Sequence, residues 1–171
     1  MANTYKLISS VTVGSGGAAN IEFTSIPQNY TDLVLKLSAR SARAAERDSA
    51  ELQFNNNTSG YSGRTINGNG VSAGSNACYG TSSINRMDVN GATSTSNSFS
   101  NIEIYIPNYA GGNNKSVSID SVYEDNTTYA FQYCITGLWS NTAAITSIKL
   151  GLEISTYTQY STAYLYGISN A

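Results

Sequence analysis

The sequence predicts an all-β chain, an antiparallel β-sandwich of about eight to ten strands with jelly-roll-like winding. Three observations carry this expectation. Apolar and polar residues alternate at period two along most of the chain, which is the spacing of half-buried strands. Ser, Thr, Asn and Gly make up 76 of the 171 residues, so turn formers abound and strong helix formers are scarce. The hydrophobic share is nevertheless 40% and includes 13 Tyr, which separates the chain from disordered sequences of similar polarity. A length of 171 residues fits one sandwich domain, residues 1–171, with no fixed-period repeat and no dividing linker.

The elements follow in order. Strands are expected at 5–13 and 20–24, separated by Gly14-Ser15-Gly16-Gly17. In TDLVLKLSAR, Leu33, Leu35, Leu37 and Ala39 fall on one face and Val34, Lys36, Ser38 and Arg40 on the other. The following ARSARAAERDS is the one stretch of good helix formers and suggests a single helical turn around Ala42, Ala44 and Ala45. SAELQFN resumes the alternation with Ala50, Leu52 and Phe54. Residues 60–98 read as long loops around one or two strands, with strand-like pieces at Thr65–Ile66 and Tyr79–Val89 and a tight hairpin turn at Asn90-Gly91. FSNIEIYIP places Ile102, Ile104 and Ile106 opposite Glu103 and Tyr105 and stops at Pro107. Further strands are expected at 116–123, 128–138, 145–152 and 160–168.

Several chemistries are excluded or disfavoured. The sequence contains no His, which removes Ser-His-Asp and Cys-His catalysis and imidazole-based zinc sites, and two Cys cannot hold zinc alone. A net charge of -2 provides no basic field for a phosphate backbone, so nucleic acid is not an expected partner. No stretch resembles a signal peptide or a membrane-spanning run, and no membrane insertion is expected. Carboxylate chemistry on a sugar needs only two acidic residues, yet none of the eleven is marked as such a pair, and the expectation is a protein that is not an enzyme and has no cofactor. Asp120, Glu124, Asp125 and Asn126 gather oxygen atoms at a strand end without the spacing of a calcium loop; a turn with a capping carboxylate is expected, and no metal. Cys78 and Cys134 are expected to be free thiols.

Two groups of residues are candidates for contact with a partner. Lys36, Arg40, Arg43 and Arg47 concentrate basic charge, partly cancelled by Glu46, Asp48 and Glu51; a solvated or subunit-facing salt-bridge strip is the plainer reading, and Arg40, Arg43 and Arg47 are the anchors if it contacts a partner. In YSTAYLYGI, Tyr160, Tyr164 and Tyr166 share one face and Ala163 and Leu165 the other. Tyr offers a large amphipathic contact area, suited to a subunit interface or to stacking on sugar, beside the plainer role of core packing. Low charge and short hydrogen-bonding side chains also suit tight packing against copies of the same protein or a neighbour.

The blocks YKLISSVTVGSGGAANIEFTSIPQNYTDLVLKLSAR, IEIYIPNYAGGNNKSVSIDSV, ITGLWSNTAAITSIKL and YSTAYLYGI resemble small structural proteins of tailed bacteriophages, of the kind frequent in marine viral sequences. The resemblance spans most of the chain outside Gly60–Ser98 and implies a virion component assembled in the host cytoplasm, without catalytic residues. Capsid decoration, or cement, is the expected role, with the major capsid protein or tail and fibre proteins as partners and a homo-oligomer, first a trimer, as the state. The alternative is a tail-fibre or knob module that binds host-surface glycan through Tyr faces and Asn/Asp side chains of the 60–98 loops.

Overall fold

Alternating strands with one apolar face must bury that face against a second sheet, and the two sheets of this chain share one apolar core. The computed structural model describes residues 4–78, 81–127 and 129–169, and these contain twelve strands and no helix. In chain order they are β1 (Tyr5–Thr12), β2 (Asn20–Phe23), β3 (Asp32–Ala39), β4 (Arg47–Phe54), β5 (Tyr61–Gly68) and β6 (Ala73–Ala77). There follow β7 (Ile84–Asn90), β8 (Ser100–Ile106), β9 (Lys115–Glu124), β10 (Ala130–Trp139), β11 (Ile148–Leu152) and β12 (Thr162–Ile168).

The strands form an eight-stranded sheet in the order β1-β12-β3-β8-β9-β10-β5-β6 and a four-stranded sheet in the order β2-β11-β4-β7, packed as a β-sandwich. Every strand pairing is antiparallel. The early strands pair with the late ones in mirrored order: β4 with β7, β3 with β8, β2 with β11 and β1 with β12. The hairpins β5–β6 and β9–β10 extend the large sheet past the small one. Their overhang packs against β7, whose residues are buried almost throughout.

Register sets the core. Leu33, Leu35 and Leu37 of β3 pair with Ile106, Ile104 and Ile102 of β8, and all six are buried. Ile21, Phe23, Ala50, Leu52, Phe54, Met87, Val89, Ile148 and Leu150 of the small sheet belong to the same apolar cluster. Each fully buried Leu or Ile side chain stabilises the fold by about 1.5–3 kcal/mol relative to exposure. Toward the overhang, Trp139 lies 5.6 Å from Phe54 and stacks on Tyr61 at 6.0 Å. The Phe54 amide donates to the Tyr61 hydroxyl at 2.7 Å, and burial pushes that phenol up to about 12.

Four expectations are corrected. The strands number twelve, because residues 60–98 contribute three: β5 and β7 fall on the strand-like pieces at Thr65–Ile66 and Tyr79–Val89, while the Ala, Gly, Ser and Asn of β6 show no apolar alternation, yet ladder bonds need no apolar side chain. The 42–46 stretch forms a bend and not a helical turn, held by backbone bonds such as the Ala42 amide to the Thr156 carbonyl at 2.9 Å. Asn90-Gly91 makes no hairpin: β7 and β8 lie in different sheets, and Gly91 donates to the Glu46 carbonyl at 2.8 Å. Tyr160 precedes β12 in a turn with φ 71°, off the strand face of Tyr164 and Tyr166. The expected strand starts at Tyr79 and Thr128 fall outside the described residues.

The contact between β7 and β10 depends on the missing side chain of Gly137. A Cβ there would lie 2.5 Å from Ile84 Cδ1 and 2.7 Å from Val117 Cγ2. Gly137→Ala is therefore expected to destabilise the protein by about 1–3 kcal/mol through overpacking. Urea unfolding followed by the fluorescence of Trp139, buried in the same cluster, measures the loss.

Candidate functional site

The outer face of β1, β12, β3 and β8 carries the largest group of outward aromatic residues. One cross-strand row reads Leu7, Tyr166, Val34, Tyr105; the next reads Ser10, Tyr164, Lys36, Glu103. Tyr5 joins from the sheet edge, its ring edge-on to Tyr166 at 6.4 Å. Tyr5, Leu7, Tyr105 and Tyr164 are exposed, whereas Val34, in the row between Tyr166 and Tyr105, is only 1% exposed despite facing outward. Polar groups ring the aromatic patch. Lys36 Nζ pairs with Glu103 Oε2 at 2.7 Å, and the Tyr105 hydroxyl donates to Asp32 Oδ2 at 2.9 Å. The hydrogen bond and charge of Glu103 move the Lys36 ammonium above its ordinary value, and the bond to Asp32 does the same for the Tyr105 phenol.

Of the expected contact residues, Tyr164 and Tyr166 are on this face and Tyr160 is not. Tyr160 is 68% exposed at the tip of its turn, where its amide donates to the Val13 carbonyl at 3.0 Å. Tyr5 and Tyr105 were not selected from the sequence. Tyr105 alternates with the inward Ile104 and Ile106, whereas Tyr5 shares the period-two phase of Val11 and buried Val13 and turns outward through the register shift between Leu7 and Ser9; only the adjacency of β1, β12, β3 and β8 gathers both with Tyr164.

The three arginines are used differently. Arg40 donates to the carbonyls of Thr95 (2.7 Å), Ser98 (2.9 Å), Ser94 (3.1 Å) and Ala92 (3.3 Å), so its guanidinium ties down the β7–β8 loop. From the other side Glu124 accepts from the Thr95 amide and hydroxyl, the Ser98 hydroxyl, Asn90 Nδ2 and the Asn126 amide, at 2.7 to 3.1 Å. The acidic cluster is thus a loop clamp with Glu124 as its capping carboxylate. Asp125 accepts from Thr127, while Asp120 stands on the outer face of β9. No group of three or more metal-ligating side chains occurs among the described residues.

Arg43 and Arg47 line an open cleft of about 470 Å³ together with Glu46, Ser49, Asp88 and Glu153. Arg43 lies 3.7 Å from Asp48, a fully buried carboxylate that also accepts from the Ser41 hydroxyl and the Ser155 amide. Arg47 pairs with Asp88. Burial opposes charge on both partners: at Arg47 the attraction of Asp88 outweighs it and the guanidinium moves up, whereas at Asp88 desolvation outweighs the pair and the carboxyl moves up. Opposed charges line the cleft, leaving no unopposed cationic strip.

No family model matches the chain, and no curated protein or solved structure matches it. No helix among the described residues is long and apolar enough to cross a membrane.

Two outcomes follow. At Glu124 burial raises the carboxyl, but the bonds from Ser98, Thr95 and Asn126 outweigh it and hold the group below its ordinary value of 4.5. A depressed folded value means that the clamp contributes fully above that ordinary value and is lost as pH falls through the folded one. Glu124→Gln is therefore expected to lower the thermal midpoint at neutral pH and to flatten its decline between about pH 6 and about pH 3 relative to the parent protein. The cysteines are both free; Cys134 is exposed and Cys78 buried, its thiol pushed up by burial. Titration with a disulfide reagent should find a single fast thiol, abolished by Cys134→Ser and retained in Cys78→Ser.

Proposed function

We propose that this protein is a non-enzymatic structural component of a tailed-phage virion, a decoration or cement protein that binds neighbouring virion proteins through the tyrosine face of β1, β12, β3 and β8. The observation that carries the reading is the outward patch of Tyr5, Tyr105 and Tyr164, spread over neighbouring rows, with half-buried Tyr166 and exposed Leu7. Rigid aromatic side chains with a polar rim make strong contact at small entropic cost, and here Lys36, Glu103 and Asp32 supply the rim. The mirrored pairing of β1–β4 with β7, β8, β11 and β12 supports a jelly roll with two hairpin insertions, an architecture that viral capsid and lectin domains share. That support is analogy of fold and weighs less than the face itself.

The same face favours a second reading, recognition of host-surface carbohydrate, because exposed rings bordered by carboxylates and an ammonium also suit a sugar. Particle assembly separates the two. Tyr164→Ala with Tyr166→Ala is expected to reduce the occupancy of the protein on purified particles by an order of magnitude or more, read by mass spectrometry against the major capsid protein. Occupancy of only a few copies per particle in the parent would overturn the decoration role, and binding of the isolated protein to a glycan array, lost in the double variant, would favour recognition.

A further inference from the structure

The sandwich has four sheet edges, and three are protected against pairing with another strand. β1 carries Lys6 and a register shift between Leu7 and Ser9. β2 has only four residues and presents Glu22. β7 is covered by the overhang of β9, β10 and β5. These are the devices by which sheets avoid edge-to-edge association: charge, bulge, shortness and cover. β6, Ala73–Ala77, has none of the first two and no cover; it reads Ala-Gly-Ser-Asn-Ala, without charge, proline or bulge, and no described strand pairs with its outer side.

The direction of its free groups is fixed by the ladder with β5. The Cys78 amide donates to the Gly63 carbonyl at 3.1 Å, and the Asn69 amide donates to the Ser72 carbonyl at 3.2 Å, in step with the register that pairs Thr65 with Asn76 and Asn67 with Gly74. Because bonded pairs alternate along an antiparallel ladder, Gly74 and Asn76 turn their backbone groups toward β5. Ala73, Ser75 and Ala77 turn theirs outward.

We propose that β6 is a self-association edge, pairing antiparallel with β6 of a second copy about a two-fold axis at Ser75. The segment is close to a palindrome of small residues about that position. Ser75 meets Ser75 of the second copy, and Ala73 meets its Ala77 at both ends, so the outward residues form three bonded pairs and about six backbone hydrogen bonds. Every side chain at the junction is short and uncharged, which permits this approach and gives a second copy a better match than a strand with bulky or charged residues. The two large sheets become one continuous sheet, and the pairing consumes the last open edge, so association stops at two. This pairing rests on edge geometry alone and stands or falls independently of the virion role.

Ser75 provides the test, since its amide faces outward and its replacement costs no bond to β5. Sedimentation velocity over a concentration series should show a monomer–dimer equilibrium for the parent protein, and monomer throughout for Ser75→Pro. Ser75→Lys and Ser75→Glu place like charges across the axis and should each be monomeric, while an equimolar mixture of the two regains the dimer, a recovery that misfolded variants cannot give. A parent protein that stays monomeric at all concentrations overturns the proposal. So does a dimer or trimer that Ser75→Lys leaves intact, or a mixture that remains monomeric.

Discussion

Burial of Leu33, Leu35 and Leu37 opposite Ile106, Ile104 and Ile102 is the constraint from which most other features of this sandwich derive. A slip of one residue in either strand would turn its apolar set into water, so the register is strongly specified. Once it is fixed, the residues between them have no choice of side. Lys36 must face Glu103, Val34 must lie between Tyr166 and Tyr105, and the tyrosines are presented outward because the leucines and isoleucines are held inward.

The few charged residues of the chain are used largely to hold loops and sheet margins. Arg40 and Glu124 grip the β7–β8 loop from opposite sides, Asp48 gathers Ser41, Ser155 and Arg43, and Asp88 pairs with Arg47 at the border of the overhang. At buried Asp88 desolvation outweighs the attraction of its partner. An arginine engaged with four loop carbonyls is also a poor anchor for another molecule. Arg43 and Arg47, by contrast, line an open cleft beside opposed carboxylates and stay partly exposed.

The proposed decoration role, binding at many equivalent positions, sets two demands on a surface: an adhesive face and edges that do not aggregate. For the first, the tyrosine patch offers rigid rings in a polar frame. Lys6, Glu22 and the overhang answer the second, and the uncharged β6 edge gives the molecule one place where backbone groups remain available.

What the sequence determined by itself was the fold class and the facing of the strongly alternating strands. Period-two burial is local, so the inward Leu33, Leu35, Leu37, Ile102, Ile104 and Ile106 could be read directly, as could the shared face of Tyr164 and Tyr166; that this face points outward and not into the core was decided by the sheet. Strand β6, and β5 beyond Thr65–Ile66, were illegible because Ser, Gly and Asn carry no apolar rhythm, and their stability comes from ladder bonds to β10 and within the hairpin. The helical propensity of 42–46 was overridden by tertiary backbone bonds to Thr156 and to the β7–β8 loop. Only the tertiary structure decided that Tyr5 and Tyr105 join Tyr164, and that Arg40 serves a loop more than fifty residues away. Strand adjacency and long-range hydrogen bonds arise from the packing of the whole sandwich, and no local pattern of residues encodes them.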